Sequence, residues 1–198
     1  MAGVGETDHV VTLVIVHYHL RPGGIRRIIE LATPQLVRAA RSINRVVLAT
    51  GQRADHSWQE HFTGQLAGVE GEVFVDSSFN YLSEQQGSPP RIASRIRNAL
   101  AKLFADMNAK NCLVWAHNLG VGRNLVLARE LAAACAKRNL PLISHHHDWW
   151  FDNRWARWPE MQRFGFHRLD APAQVIFPQP RHLLHVAINH ADATVLER

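Results

Sequence analysis

The sequence of 198 residues contains few cysteines and no long run of apolar residues. Its two cysteines, Cys112 and Cys135, lie within apolar stretches, which predicts buried free thiols in a reducing compartment rather than a disulfide framework. Glu6 and Asp8 precede the first short apolar run, so the N-terminal segment does not resemble a signal peptide. No stretch approaches the length of a membrane span. These absences lead us to expect a cytoplasmic protein.

Several signatures of known enzymes and nucleic-acid-binding proteins are also absent. The sequence has no GxGxxG fingerprint, and its second predicted strand ends at Thr50-Gly51 without an acidic residue, which disfavours tight NAD binding. It contains neither a Walker-type GK[ST] nor a GxSxG nucleophile motif. The arginines are dispersed and form no RNP-like or helix-turn-helix pattern, so we expect no nucleic-acid partner.

The composition is that of one folded domain spanning residues 1–198. Hydrophobic residues make up 46% and charged residues 20% of the sequence, which supports a sizeable core and argues against disorder. The formal net charge of +5 favours anionic partners such as nucleotide sugars or phospholipid surfaces. A basic surface that is simply solvated explains the same charge equally well.

Short apolar runs alternate with helical patterns along the chain. The predicted strands are Val10–Val16, Arg45–Thr50, Gly71–Val75, Cys112–Ala116, Pro141–Ser144, Val175–Phe177 and Ala193–Leu196. The predicted helices are Ile25–Arg41, Arg91–Asn108, an alanine-rich segment ending at Arg138, and Arg181–His190. This alternation predicts an α/β fold with a Rossmann-like, mostly parallel sheet and helices on both faces.

Prolines give two local expectations. Pro34 lies inside the first predicted helix, so we expect it to kink that helix or end it early. The stretch Asp76–Pro90 is polar and ends in two prolines, which predicts a long loop.

Histidines gather at the ends of predicted strands. In an open parallel sheet, ligands bind beyond the carboxyl ends of the strands. Six of the thirteen histidines follow three of these strands directly, and an aspartate, Asp148, follows the last of them. The six are His17, His19, His117, His145, His146 and His147. Their position indicates a candidate site at one edge of the sheet.

Two glycines before the first predicted helix give a second candidate feature. Pro22-Gly23-Gly24 leads directly into that helix, so backbone N–H groups and the positive helix end would face the same edge of the sheet. That arrangement suits a phosphate group, and glycine allows its close approach. A simple turn or helix cap is the alternative explanation.

The histidine run also allows a metal-binding interpretation. Consecutive residues of an extended segment point to opposite faces, so the three histidines in the run cannot all bind one ion. His145 and His147 could, with His117 or His17 as the third ligand. The alternative function is therefore a stand-alone metal-dependent hydrolase that uses this cluster together with Asp148. The preferred interpretation includes no metal.

Three stretches of the chain, taken in their order and spacing, carry a resemblance to one known family. They are the first strand with HYHLRPGG and the helix that follows it, VWAHN with its glycine-rich turn, and SHHHDW with Arg154 beyond it. The chain thereby resembles the N-terminal domain of GT-B glycosyltransferases of the family 4-like group. The tail at residues 188–192 also resembles the family segment in which a helix leads to the last strand of the domain.

This resemblance implies transfer of a sugar from a nucleotide-sugar donor to an unidentified sugar or lipid acceptor, with no cofactor. Gly23 and Gly24 would approach the donor diphosphate. His117, near the transferred sugar, and Asp148 are the catalytic candidates: either would be the base in an inverting reaction, whereas a retaining reaction needs no protein nucleophile here. Residues assigned to the acceptor side are His17, His19, Asn118, His146, His147, Trp149 and Arg154, while Trp150 and Trp155 are further candidates for stacking on sugars.

In such enzymes the C-terminal domain binds most of the donor, and this sequence ends at Arg198, about where the first domain would end. We therefore expect the donor-binding domain to be absent, through excision, a truncated reading frame or a separate donor-binding subunit. The chain alone would then have little activity, because half of the transition-state environment is missing. The acceptor side could also contact the inner face of the membrane. A non-enzymatic binding module is the remaining alternative.

Overall fold

The computed structural model describes residues 10–151, 155–179 and 181–197, and its sheet confirms the predicted α/β, Rossmann-like fold. Six strands are all parallel, in the spatial order β3-β2-β1-β4-β5-β6. The strands are β1 (Val11–Val16), β2 (Ile43–Thr50), β3 (Glu70–Val75), β4 (Cys112–His117), β5 (Leu142–His146) and β6 (Leu183–Ala187).

Each strand is followed by one or more helices along the chain. They are α1 (Gly24–Ala39), α2 (His56–Gly64), α3 (Pro89–Leu103), α4 (Leu125–Arg138), α5 (Trp158–Arg163), α6 (Asp170–Ile176) and α7 (His190–Leu196). Short 3-10 helices cover Ser77–Phe79, Leu82–Glu84, Leu119–Val121 and Trp155–Arg157. None of the helices in the described ranges is both long and apolar enough to cross a membrane.

The central strands of the sheet are buried on both faces. The side chains of each strand point alternately to the two faces. On β1, Leu13 and Ile15 pack with residues of α1 and α2 on one face. Val14 and Val16 pack with residues of α3 and α4 on the other. This two-sided burial explains why the first strand is apolar throughout rather than alternating. The two cysteines are buried free thiols, as predicted.

The structure differs in part from the two expectations based on proline. Helix α1 continues through Pro34 to Ala39, and Pro34 is buried with Ile29 and Val37 on the core-facing side, so tertiary packing outweighs the lost backbone hydrogen bond. The expected loop at 76–90 contains two 3-10 helices, and Pro89 begins α3 rather than closing a loop. Proline suits the first turn of a helix, where its missing N–H has no intrahelical partner.

The predicted order of elements is wrong near the C-terminus. The expected strand Val175–Phe177 falls at the end of α6, the expected helix Arg181–His190 contains β6, and the expected strand Ala193–Leu196 belongs to α7. At residues 188–192 a strand therefore leads into a helix. In the family segment that the tail resembles, a helix leads into a strand. The side chain of Asn189 caps α7 by accepting the Asp192 N–H at 2.9 Å, which is a strong local signal for a helix start.

Candidate functional site

The candidate site lies where the strand order reverses, between β1 and β4. Connections leave these two strands in opposite directions along the sheet, which opens a crevice at their carboxyl ends. An open crevice of about 200 Å³ occupies this position, smaller than the range of about 300–1,000 Å³ usual for sites that enclose a whole ligand. Its lining includes the predicted site residues His17, His19, Gly23, Gly24, Asn118 and Asp148.

The N-terminus of α1 opens into this crevice. The first intrahelical hydrogen bond joins the Arg27 N–H to the Gly23 carbonyl at 3.1 Å, so the N–H groups of Gly24, Ile25 and Arg26 precede it. The first four residues of α1 include no acidic side chain. A Cβ atom built on Gly24 would meet no described atom within 4 Å. The positive helix end therefore has open space in front of it, as a phosphate site requires.

Asn118 fixes the carboxylate that lines the same crevice. It follows β4 in the left-handed region, with φ of 57°, and its Nδ2 donates to Asp148 Oδ2 at 2.8 Å. Its Oδ1 accepts the backbone N–H groups of His147 at 3.3 Å and Asp148 at 3.0 Å. The side chain of Asn118 thus joins the ends of two adjacent strands, and the exposed Asp148 carboxylate is held at their junction.

Cationic side chains surround the crevice, and two of them already have carboxylate partners. Arg21 forms two hydrogen bonds of 2.9 Å with Glu84, whereas Arg26 pairs with Asp55 at 2.7 Å. The guanidinium of Arg123 lies over the ring of Tyr81, 5.0 Å from its centroid. These partners orient the cations around the crevice.

His19 also contacts Tyr81, through a hydrogen bond of 2.9 Å between His19 Nε2 and the tyrosine hydroxyl. Sequence reasoning missed Tyr81 and Arg123. Tyr81 lies in the segment interpreted as a polar loop, where it and Phe79 are the two aromatic residues.

His17 and His117 are buried between the ends of β1 and β4. The Nδ1–H of His17 donates to the carbonyl of His117 at 2.9 Å, which fixes the His17 tautomer. Burial lowers the pKa of His17 to about 3. Burial also lowers the pKa of His117 well below its ordinary value, and the neighbouring histidines lower it further. Both imidazoles are therefore neutral at physiological pH.

Three histidines from β4 and β5 converge on the sheet face that is covered by α1 and α2 elsewhere. His117 pairs with His145 across the strands, and His147 follows two residues later on the same side, as the predicted alternation requires. One ring nitrogen from each lies within 4.8 Å of the others. We call His117, His145 and His147 the histidine cluster.

The histidine cluster is fully buried at His117 and partly buried at His145 and His147. His117 Nδ1 lies 3.2 Å from His147 Nε2, while the buried His117 Nε2 and His145 Nδ1 have no hydrogen-bond partner among the described residues. Burial lowers the pKa of His145, and burial together with His145 lowers the pKa of His147 to about 4. All three rings are thus neutral, with nitrogens directed at one another.

His146 and Trp149 lie elsewhere and do not line the crevice. His146 points to the opposite sheet face, where its Nε2–H donates to His185 Nδ1 at 2.9 Å and His185 Nε2–H donates to the Pro178 carbonyl at 3.2 Å. Trp149 stacks on His146 at 4.9 Å, and its indole N–H donates to Asp192 at 3.0 Å. Both side chains are buried outside the crevice. The structure therefore does not place them where the predicted contact with an acceptor would occur.

The remaining residues predicted for the site are Trp150, Trp155 and Arg154. Trp150 is buried in the core on the α3 and α4 face. Arg154 and the side chain of Trp155 lie outside the described residues.

No model of a known protein family matches the chain, and no curated protein matches it.

Proposed function

We propose that this chain is the acceptor-side domain of a glycosyltransferase that moves a sugar from a nucleotide-sugar donor to an acceptor hydroxyl. The observation that supports this proposal best is the crevice between β1 and β4, which combines the open N-terminus of α1 with a fixed carboxylate, Asp148. The sequence resemblance supports the same function, because its motifs supply both features. A second, donor-binding domain or subunit would complete the active site.

The α1 N-terminus is suited to the donor diphosphate. Free N–H groups at a helix start bind anions, and the helix dipole adds favourable electrostatics of about 0.3–1 kcal/mol per charge. Gly23 and Gly24 carry no side chain that would keep a phosphate away from these groups. During sugar transfer the departing diphosphate gains negative charge, which this positive end would stabilise without any change in protein geometry.

Asp148 is better placed than His117 to contact an acceptor. Its carboxylate is exposed in the crevice and oriented by Asn118, so an acceptor hydroxyl can reach it. His117 is fully buried and directs its ring toward other histidines. In an inverting reaction we therefore assign the general base to Asp148. His117 then has a structural role at the end of β4. In a retaining reaction, Asp148 would instead orient the acceptor by hydrogen bonding.

Phosphate binding at α1 can be tested on this chain alone, by titrating it with inorganic pyrophosphate and with UDP-, GDP- and ADP-sugars. We expect weak binding of diphosphate-containing ligands, in the millimolar range or about 4 kcal/mol, because one wall of the site belongs to the other domain. The Gly24→Asp variant should abolish this binding, since it adds a carboxylate where the phosphate would lie. It should leave the melting temperature unchanged or higher, because an acidic residue is favourable at a helix start.

The matched control is Gln35→Asp, which adds the same charge at an exposed position farther along α1. It should bind like the unmodified chain. Equal binding by the Gly24→Asp variant and the control, or no binding of any diphosphate by the unmodified chain, would contradict the proposed function. Nuclear magnetic resonance titration suits this weak affinity and locates the ligand through the amide signals of Gly24, Ile25 and Arg26.

A further inference from the structure

The histidine cluster lies beside the crevice, and sugar transfer as proposed above makes no use of its ring nitrogens. Its members come from two neighbouring strands whose register is fixed by the ladder that pairs His117 with His145. The ring centroids of His145 and His147 are 4.2 Å apart, and that of His117 lies 5.2 Å from His145. We propose that the histidine cluster binds a divalent transition-metal ion, with zinc as the best match.

Unpaired nitrogens are the first support for this site. Nearly all buried polar atoms in proteins have a hydrogen-bond partner, yet His117 Nε2 and His145 Nδ1 have none among the described residues. His117 is also completely inaccessible to solvent, with an exposed fraction of 0%. A cation is a partner that several imidazole nitrogens can share, and imidazole is the commonest metal ligand in proteins.

The protonation state of the cluster fits the same conclusion. Metal ligands must be deprotonated, and a histidine therefore binds a metal in its neutral form. His117 is fully buried and His145 and His147 are partly buried, and burial favours the neutral form of an imidazole. A neutral imidazole can bind a metal without losing a proton. It needs only the tautomer whose N–H is on the other ring nitrogen.

The donor set selects the metal. Three imidazoles without a thiolate suit zinc, copper, iron or nickel, whereas magnesium and calcium prefer oxygen ligands. Three protein ligands also match those zinc sites that keep a fourth position for water or substrate. His147 adjoins Asp148, so the ion would lie next to the crevice. This site is independent of phosphate binding at α1, and neither depends on the other.

The test uses the untagged chain, stripped of metal with a chelator and then titrated with zinc and with cobalt. We expect one equivalent of each to bind, and cobalt to give the visible absorption of a low-coordinate site. The His145→Ala and His147→Ala variants should weaken binding by at least about 100-fold, because even the outer partners of a metal site change affinity by about 10- to 100-fold. His182→Ala, which removes an exposed imidazole outside the cluster, is the matched control and should bind normally.

Two results would overturn the proposal: less than one equivalent of zinc on the unmodified chain, or an equal loss in the control and the cluster variants. Circular dichroism reports whether each variant is folded. X-ray absorption of the zinc-loaded unmodified chain needs no variant at all. It should show nitrogen ligands at about 2.0 Å, and a shell of sulfur or of oxygen alone would also overturn the site.

Discussion

Adjacent histidines of β5 have opposite environments. His146 packs on the face that contacts α4 and α6, where it bonds to His185 and stacks on Trp149. His145, one residue earlier, points to the other face, where it meets only the rings of Trp115, His117 and His147 in the aromatic contacts of the described residues. Each histidine has a buried Nδ1 without a hydrogen-bond partner among the described residues, but only His146 is also anchored, through its Nε2, to another ring.

This contrast separates a histidine that builds the fold from one that is available for binding. Both belong to the same run of three, and composition alone does not distinguish them. The extended backbone of β5 assigns them to opposite faces, and the helices on each face then determine what they contact. A buried histidine that is hydrogen-bonded to a neighbouring element stabilises the domain, whereas ring nitrogens that converge without such an anchor are available to a ligand.

The largest expected effect is that of His146→Ala on stability. The change leaves a cavity beneath Trp149 and removes the hydrogen-bond donor to His185 Nδ1. We expect the free energy of unfolding to fall by about 3 kcal/mol, as for other large buried side chains that leave a polar partner unsatisfied. Urea unfolding followed by circular dichroism measures it. A loss below about 1 kcal/mol would show that His146 is not a structural residue.

Acid should destabilise the fold through its buried histidines. Burial lowers the pKa of His17 and His146 to about 3, against an ordinary value near 6.5 in the unfolded chain. The unfolded state therefore binds protons below about pH 6.5 that the folded state does not, so stability is complete above that pH and decreases as the pH falls. Between pH 6 and pH 5 the two histidines should remove about 2 kcal/mol.

Urea unfolding at several pH values checks this dependence. The His146→Ala variant lacks one of the two groups, so it should lose about 1 kcal/mol less than the unmodified chain over the same interval. An equal slope in the variant and the unmodified chain would mean that other groups cause the acid sensitivity.

Most of the fold follows from sequence patterns, and its errors have local causes. The buried strands β1, β2 and β4 are largely apolar runs, and β1 and β2 are also rich in β-branched residues, a pattern typical of central parallel strands. The segments near the C-terminus are short apolar runs that suit a strand or a helix equally well. For α7, the decisive signal was the capping side chain of Asn189. This signal was missed because the short apolar run after it also suits a strand. For β6, pairing with β5 decides the structure, and pairing is invisible in a local pattern.

The candidate site was predictable in position but only partly in detail. Because carboxyl ends of parallel strands meet at one edge, the sequence pattern predicted that His17, His19 and Asp148 lie together, and all three line the crevice. Alternation along the extended run also predicted that His145 and His147 share a face. It did not show that His146 would be buried against His185, because that contact joins residues 39 positions apart. Long-range partners of this kind depend on the assembled sheet.

The smallest expected effect belongs to His145→Ala in the metal-free chain. The side chain is half-buried, and its loss removes ring contacts with His117 and His147. It also removes a buried nitrogen that has no hydrogen-bond partner among the described residues, which offsets part of that loss. We expect a change within about 0.5 kcal/mol by urea unfolding, as for a residue outside the packed core. Saturating zinc should then stabilise the unmodified chain but not the variant, because a ligand that binds only the folded state raises its stability. If His145→Ala instead costs as much as His146→Ala without metal, both faces of β5 are structural, and the distinction between the two histidines fails.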